Sequence, residues 1–178
     1  MQEILKEKLY MKKCILIVAL ALGLGFTGCE DDVKFNDPSF QAQRNYKLWR
    51  ANNSVAEVKD GTLRVFGTDG VESLVMTIPN YSFGKSYDFG NNETNIATYR
   101  IVDENVTYVY KTGYNLGGGH LTLDPVEKQV PGFISGTFLV KASRVEAGTV
   151  VDVKLDEGVF FRIPLREVTE QAPAEIVE

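Results

Sequence analysis

Beyond Pro38 the chain alternates apolar and polar positions with a period of two over a series of short stretches. GTLRVFG (61–67) sets Leu63 and Val65 on one face, and ESLVMTIP (72–79) does the same with Leu74, Met76 and Ile78. ATYRIV (97–102) aligns Ala97, Tyr99 and Ile101, and NVTYVYKT (105–112) aligns Val106, Tyr108 and Tyr110. Later, GTFLVKA (136–142) aligns Phe138, Val140 and Ala142, and VVDVKLD (150–156) aligns Val151, Val153 and Leu155. VFFRIP (159–164) aligns Val159, Phe161 and Ile163. Successive side chains of a strand point to opposite faces, so this period predicts strands with one buried and one wet face.

Turn chemistry separates the runs: Asp60-Gly61, Asp69-Gly70, Asp103-Glu104-Asn105, Gly117-Gly118-Gly119, Ala147-Gly148 and Glu157-Gly158. Strands of about 5–8 residues spaced 8–12 apart by such turns predict an all-β domain built from hairpins. The expected architecture over residues 40–166 is a single antiparallel β-sandwich of about 8–10 strands, with an up-and-down β-barrel as the alternative. One short helix over 40–48 is the only helix the pattern after residue 38 admits. The acidic tail from Glu167, EVTEQAPAEIVE, contains Pro173 and is expected to fray.

The start of the chain follows other rules. Met11-Lys12-Lys13 precedes an apolar run from Cys14 to Phe26, then Thr27, Gly28 and Cys29. Thirteen helical residues rise about 20 Å, short of the roughly 30 Å needed to cross a bilayer. A basic start, a short apolar middle and small residues before a cut site form a secretory signal over residues 1–28. The segment before Cys29 resembles a bacterial lipobox, in the looser Bacteroidetes-type form that tolerates Phe26 where Leu is usual. That resemblance implies cleavage before Cys29 and its modification by acyl chains such as palmitate, holding the protein to the outer membrane. A plain secretory signal beside an incidental cysteine is the competing explanation.

MQEILKEKLY (1–10) does not look like the start of a signal, because Glu3 and Glu7 offset Lys6 and Lys8; translation is expected to begin at Met11. Directly after Cys29, the run Glu30-Asp31-Asp32 resembles the export signal that sends such lipoproteins to the cell exterior. Residues 29–39 read as an acidic lipidated tether.

Composition narrows the partners. Residues 1–28 hold four of the 19 Lys and Arg and two of the 24 Asp and Glu, leaving 15 against 22 in the other 150 residues, a net charge of −7. An acidic domain is unsuited to nucleic acid, whose binding rests on phosphate neutralisation. Both cysteines, Cys14 and Cys29, are used by the signal and the anchor, so no disulfide is expected and the fold must rest on its core.

FQA (40–42), LWRA (48–51), GTLRVFG, ATY (97–99), GGGHLTL (117–123), ISGTFLVKA (134–142) and DEGVFFRIPL (156–165) together resemble a family of small Bacteroidetes lipoproteins known as a domain of unknown function. The resemblance spans most of residues 38–165 and implies an all-β fold without a known catalytic residue. QRNYKLWR departs from it, because a tighter Asn-Gly turn is expected before Trp49.

Candidate chemistry is sparse. His120 is the single histidine; it alternates with Leu121 and Leu123 and is expected on the wet face. Ser135 lies in GFISGTF, which is not a nucleophile elbow. No helical pattern follows Gly117-Gly118-Gly119, so these glycines cannot form a phosphate cradle and are expected to make a mobile turn or bulge. Asp88, Asn91, Asn92, Glu93 and Asn95 form an oxygen-rich loop, a weak calcium candidate that is more simply a solvated hairpin loop. Trp49, Tyr99, Tyr108 and Tyr110 read as core. Tyr81, Phe83, Tyr87 and Phe89 are the aromatics left for a ligand surface, with packing beneath a loop as the plainer reading.

The expected role is therefore non-enzymatic, without cofactor or metal: a surface lipoprotein that binds or scaffolds an envelope protein or glycan. A lipocalin-like carrier of a small apolar ligand is the alternative, requiring a hollow barrel. A glycosidase would need two facing carboxylates in a cleft.

Overall fold

A computed structural model describes residues 39–91 and 93–168. These form eleven strands: β1 Ser39–Arg44, β2 Lys47–Arg50, β3 Asn53–Lys59, β4 Thr62–Thr68, β5 Glu72–Pro79, β6 Ser86–Phe89, β7 Ile96–Asp103, β8 Val106–Lys111, β9 Gly118–Leu123, β10 Phe133–Glu146 and β11 Thr149–Glu167. A single 3-10 turn, Val126–Lys128, precedes β10. The all-β class expected from the alternation holds.

No helix occupies 40–48. Phe40 and Ala42, two apart, both enter the core, and the two-residue turn Asn45-Tyr46 joins β1 to β2 with φ of 46° and 67°. Such a turn needs left-handed backbone at both central positions, which Asn tolerates and Tyr adopts at a cost. Asn45 secures it by donating its N–H to Lys154 O and accepting from Lys154 N, each at 3.0 Å.

All eleven strands belong to one sheet in the order β2-β1-β11-β3-β4-β5-β7-β8-β10-β9-β6, and β10 also pairs with β11. Pairings β11-β3-β4-β5-β7-β8-β10 therefore run back to β11 and wrap one core, an arrangement in keeping with a sandwich or a barrel-like fold. Its order is not that of an up-and-down barrel, since β5 pairs with β7 and β8 with β10. The sheet is mixed rather than wholly antiparallel: Leu165, Arg166 and Glu167 of β11 run parallel to Ala56, Glu57 and Val58 of β3. β8 touches β10 through one register pair, Lys111 with Ser143.

β11 corrects the expected turn at Glu157-Gly158, which lies inside a continuous strand. Opposite β10, the step from Phe138 to Val140 matches Gly158 to Leu155, and the step from Ile134 to Gly136 matches Ile163 to Phe160. Each step leaves β11 one residue extra, a β-bulge, and Glu157 and Arg162 there have φ of 50°. Each bulge shifts the alternation by one, so Phe160, not Phe161, is fully buried, between the buried pair Val153 and Leu155 and buried Ile163.

Aromatic rings fill the interior. Phe40 lies 5.3 Å from Phe138 and 6.2 Å from Phe160, centroid to centroid, and meets Trp49 edge-on at 5.8 Å. Trp49 continues edge-on to Tyr99 at 6.2 Å, and Tyr99 reaches Tyr110 at 6.3 Å. Leu63, Val65, Leu74, Met76 and Ile78 are fully buried as their alternation requires. Val106 is 50 % exposed and Tyr108 only half-buried, because the β7–β8 hairpin runs past the core towards its tip.

Candidate functional site

The anchor and export residues, Cys29, Glu30, Asp31 and Asp32, lie outside the described residues, as do Asn92 and the tail beyond Val168. His120 is exposed on β9, with Asp88 of β6 as its register partner on one side and Leu139 of β10 on the other. Ser135 sits four residues before Leu139 on β10, about 13 Å along a strand rising 3.3 Å per residue. Its hydroxyl is buried and accepts the Arg162 N–H at 2.9 Å, while its own N–H donates to Gln129 Oε1. Ser135 thus braces the second bulge of β11 and does not meet the histidine.

The four candidate aromatics do not gather into one exposed platform. Phe89 is in the core, and Tyr81, Phe83 and Tyr87 pack against it half-buried. Tyr81 and Phe83 meet edge-on at 5.8 Å, and the Tyr87 hydroxyl ties the loop by accepting Ser82 N–H at 2.6 Å. In the oxygen-rich loop, Asn95 donates to Asp88 O at 3.1 Å and Asn91 approaches Asp88 Oδ2 at 3.5 Å. Among the described residues no three His, Cys, Asp or Glu side chains are grouped to hold a metal.

A polar network missed in the sequence surrounds the β4–β5 turn. Asp69 accepts the Val71 and Glu72 N–H groups at 2.9 and 2.7 Å through Oδ1, and the Trp49 indole N–H at 3.0 Å through Oδ2. Glu72 pairs with Arg44 at 2.9 Å and accepts the Tyr99 hydroxyl. Burial, reinforced by the bond to Glu72, pushes the Tyr99 hydroxyl far above its usual range. The carboxylates here order a turn and satisfy buried ring donors, as the accounting of buried polar groups requires. Asp69-Gly70 signalled the turn; nothing local signalled Trp49 or Tyr99 as its partners.

Nearby in sequence but separate in role is a groove of about 460 Å³ beside the start of β7 and the end of β8. Glu93, Ile96, Thr98, Lys111, Tyr114 and Leu116 line it. Gly113 and Leu116 exchange backbone hydrogen bonds of 2.6 and 2.9 Å, closing a two-residue turn in which Asn115 has φ 58° and Tyr114 is 67 % exposed. The Thr112 hydroxyl accepts the Ala97 N–H at 2.9 Å, pinning this turn to β7. The triple glycine expected to be mobile is instead packed: a Cβ on Gly117 would lie 2.3 Å from Lys141 O, and one on Gly119 2.0 Å from Leu139 O. Only glycine admits so close a backbone approach.

The described residues form an all-β domain whose interior is occupied by its own rings, and the groove beside Tyr114 lies outside that core. The chain belongs to the family described as a domain of unknown function, DUF6252, whose model matches residues 36–164. No curated protein and no solved structure matches it.

Proposed function

We propose that this protein is a lipid-anchored protein of the cell envelope, held on the outer membrane by acyl chains on Cys29 and facing the cell exterior. Its β-domain binds or scaffolds an envelope protein or glycan and performs no chemistry. The observation that carries the proposal is the thirteen-residue apolar run after Lys12-Lys13, ending at Thr27-Gly28-Cys29 and followed at once by Glu30-Asp31-Asp32. Each buried lipid methylene contributes about 0.8 kcal/mol and stable anchoring takes more than one chain, which an acylated lipoprotein cysteine supplies. The non-enzymatic role is supported by Asp69, Glu72 and Ser135, which are engaged in structural hydrogen bonds. Ring-to-ring packing of Phe40, Phe138 and Phe160 weighs against the lipocalin-like carrier, because it fills the space an apolar ligand would need.

The test uses intact cells and an external protease. With Glu30, Asp31 and Asp32 present the domain is expected to be cleaved; with all three replaced by Ala it is expected to stay acylated but protected. A wild-type domain that resists protease until the cells are broken would overturn the exterior placement.

A further inference from the structure

We propose that the groove beside Tyr114 is a carbohydrate-binding site for a neutral sugar ring; this deepens the envelope-binding role above and rests on it. Tyr114 is the first ground. A large ring left 67 % exposed on a two-residue turn closed by two backbone hydrogen bonds is presented rather than packed. Its face suits the C–H face of a pyranose, which is apolar and flat.

The polar lining is the second ground. Glu93 offers acceptors, Lys111 donors and Thr98 a hydroxyl that does both, around the apolar sides of Ile96 and Leu116. A sugar hydroxyl both donates and accepts, so a mixed lining fits it. A carboxylate and an ammonium on one groove offset each other, which removes preference for an anion or a cation. Both are exposed, so their attraction for a ligand's formal charges is weak in water, whereas hydrogen bonds to a polyol keep directional value. The volume of about 460 Å³ falls within the range of small-ligand sites.

Preorganisation is the third ground. Strand register fixes Thr98 opposite Lys111. A Cβ on Gly90 would lie 2.6 Å from Gly117 O, so the loop after β6 and the loop before β9 meet backbone to backbone. The walls are therefore set before a ligand arrives, which lowers the ordering cost of binding.

The experiment is saturation-transfer NMR on the full acylated chain in a sugar-free detergent, with cellotriose, mannotriose, lactose, N-acetylated chitotriose and glycylglycine as probes. At least one sugar is expected to bind. Tyr114→Ala and Lys111→Met should each weaken it about tenfold, the scale of one lost contact of this kind, while Tyr114→Trp retains it. Unchanged melting temperatures in the three variants would confirm that the loss is local. Failure of every sugar to bind, binding indifferent to Tyr114→Ala, or binding of glycylglycine alone would overturn the site. Acylation and surface exposure are read separately, so the groove can fail while the anchor stands.

Discussion

Phe160 and Gly136 face each other across β10 and β11, and the ring occupies the space a side chain at Gly136 would need. A Cβ there would lie 2.5 Å from Phe160 Cζ and 2.3 Å from Thr122 O. The neighbouring pair is reversed: Gly158 on β11 receives Phe138 of β10, its would-be Cβ 2.5 Å from the ring. Across the core Gly67 receives Phe40 in the same way, at 2.8 Å. Three strand glycines, weak formers of sheet on their own, thus seat the three clustered phenylalanines.

Adding a methyl at these seats should be costly. Gly136→Ala and Gly158→Ala are each expected to destabilise by about 1–3 kcal/mol through overpacking. Gly118→Ala, where the new Cβ meets only ordinary contact at 3.5 Å from Phe89 O, should change stability by less than about 1 kcal/mol. Urea denaturation midpoints check the contrast; equal effects would contradict the seating.

The two bulges in β11 lead to a second comparison. Phe160→Ala should cost about 3–5 kcal/mol and Phe161→Ala less than half of that, although simple alternation assigns them the other way round. Equilibrium unfolding of the two variants decides it, since a larger loss at Phe161 would mean that the phase shift at Glu157 and Arg162 is absent.

Trp49 is buried in the core and His120 is exposed on β9. Trp49→Ala is expected to cost about 3–5 kcal/mol. Trp49→Phe should lose less, chiefly the hydrogen bond to Asp69, worth about 1.5–3 kcal/mol because the acceptor is charged. His120→Ala on the exposed face of β9 should stay within about 0.5 kcal/mol. Thermal and urea unfolding measure all three.

Alkaline pH should weaken the fold through Tyr99. Its hydroxyl holds its proton more tightly in the folded state than in the unfolded chain, where the value is near 10. Above that pH the unfolded chain binds fewer protons than the folded one, so this stabilisation is intact below about pH 10 and declines as pH rises beyond it, by up to about 1.4 kcal/mol per unit. Tyr99→Phe should flatten that part of the stability–pH curve while lowering stability at pH 7. A variant curve parallel to the wild type above pH 10 would contradict the burial of the Tyr99 hydroxyl beside Glu72.

Much of the sheet was written in the period-two runs. β4, β5 and β7 appear where Leu63/Val65, Leu74/Met76/Ile78 and Ala97/Tyr99 alternate, because each strand buries one face; β4 meets β5 through a short turn, whereas β5 meets β7 across the segment that carries β6. The β1–β2 hairpin was harder to see, since its exposed Asn45-Tyr46 turn lacks glycine and β2 contributes only Trp49 to the core. The bulge at Glu157 was illegible because its signal, Glu157-Gly158, is also that of a turn, and no glycine marks the one at Arg162. The parallel seam between β3 and β11 joins Ala56 to Leu165, a pairing no local pattern encodes. For the same reason the groove was not foreseen: Glu93 precedes β7, whereas Lys111 and Tyr114 lie at and just beyond the end of β8, and they share a wall only after β7 and β8 pair.

The central claim, an envelope protein tethered by lipid, is tested most directly by mass spectrometry of the N-terminus of protein extracted from membranes. The first residue is expected to be Cys29, carrying acyl chains, with residues 1–28 absent, and Cys29→Ser is expected to accumulate as an uncut, unacylated precursor. A mature chain beginning elsewhere, or an unmodified Cys29, would contradict it.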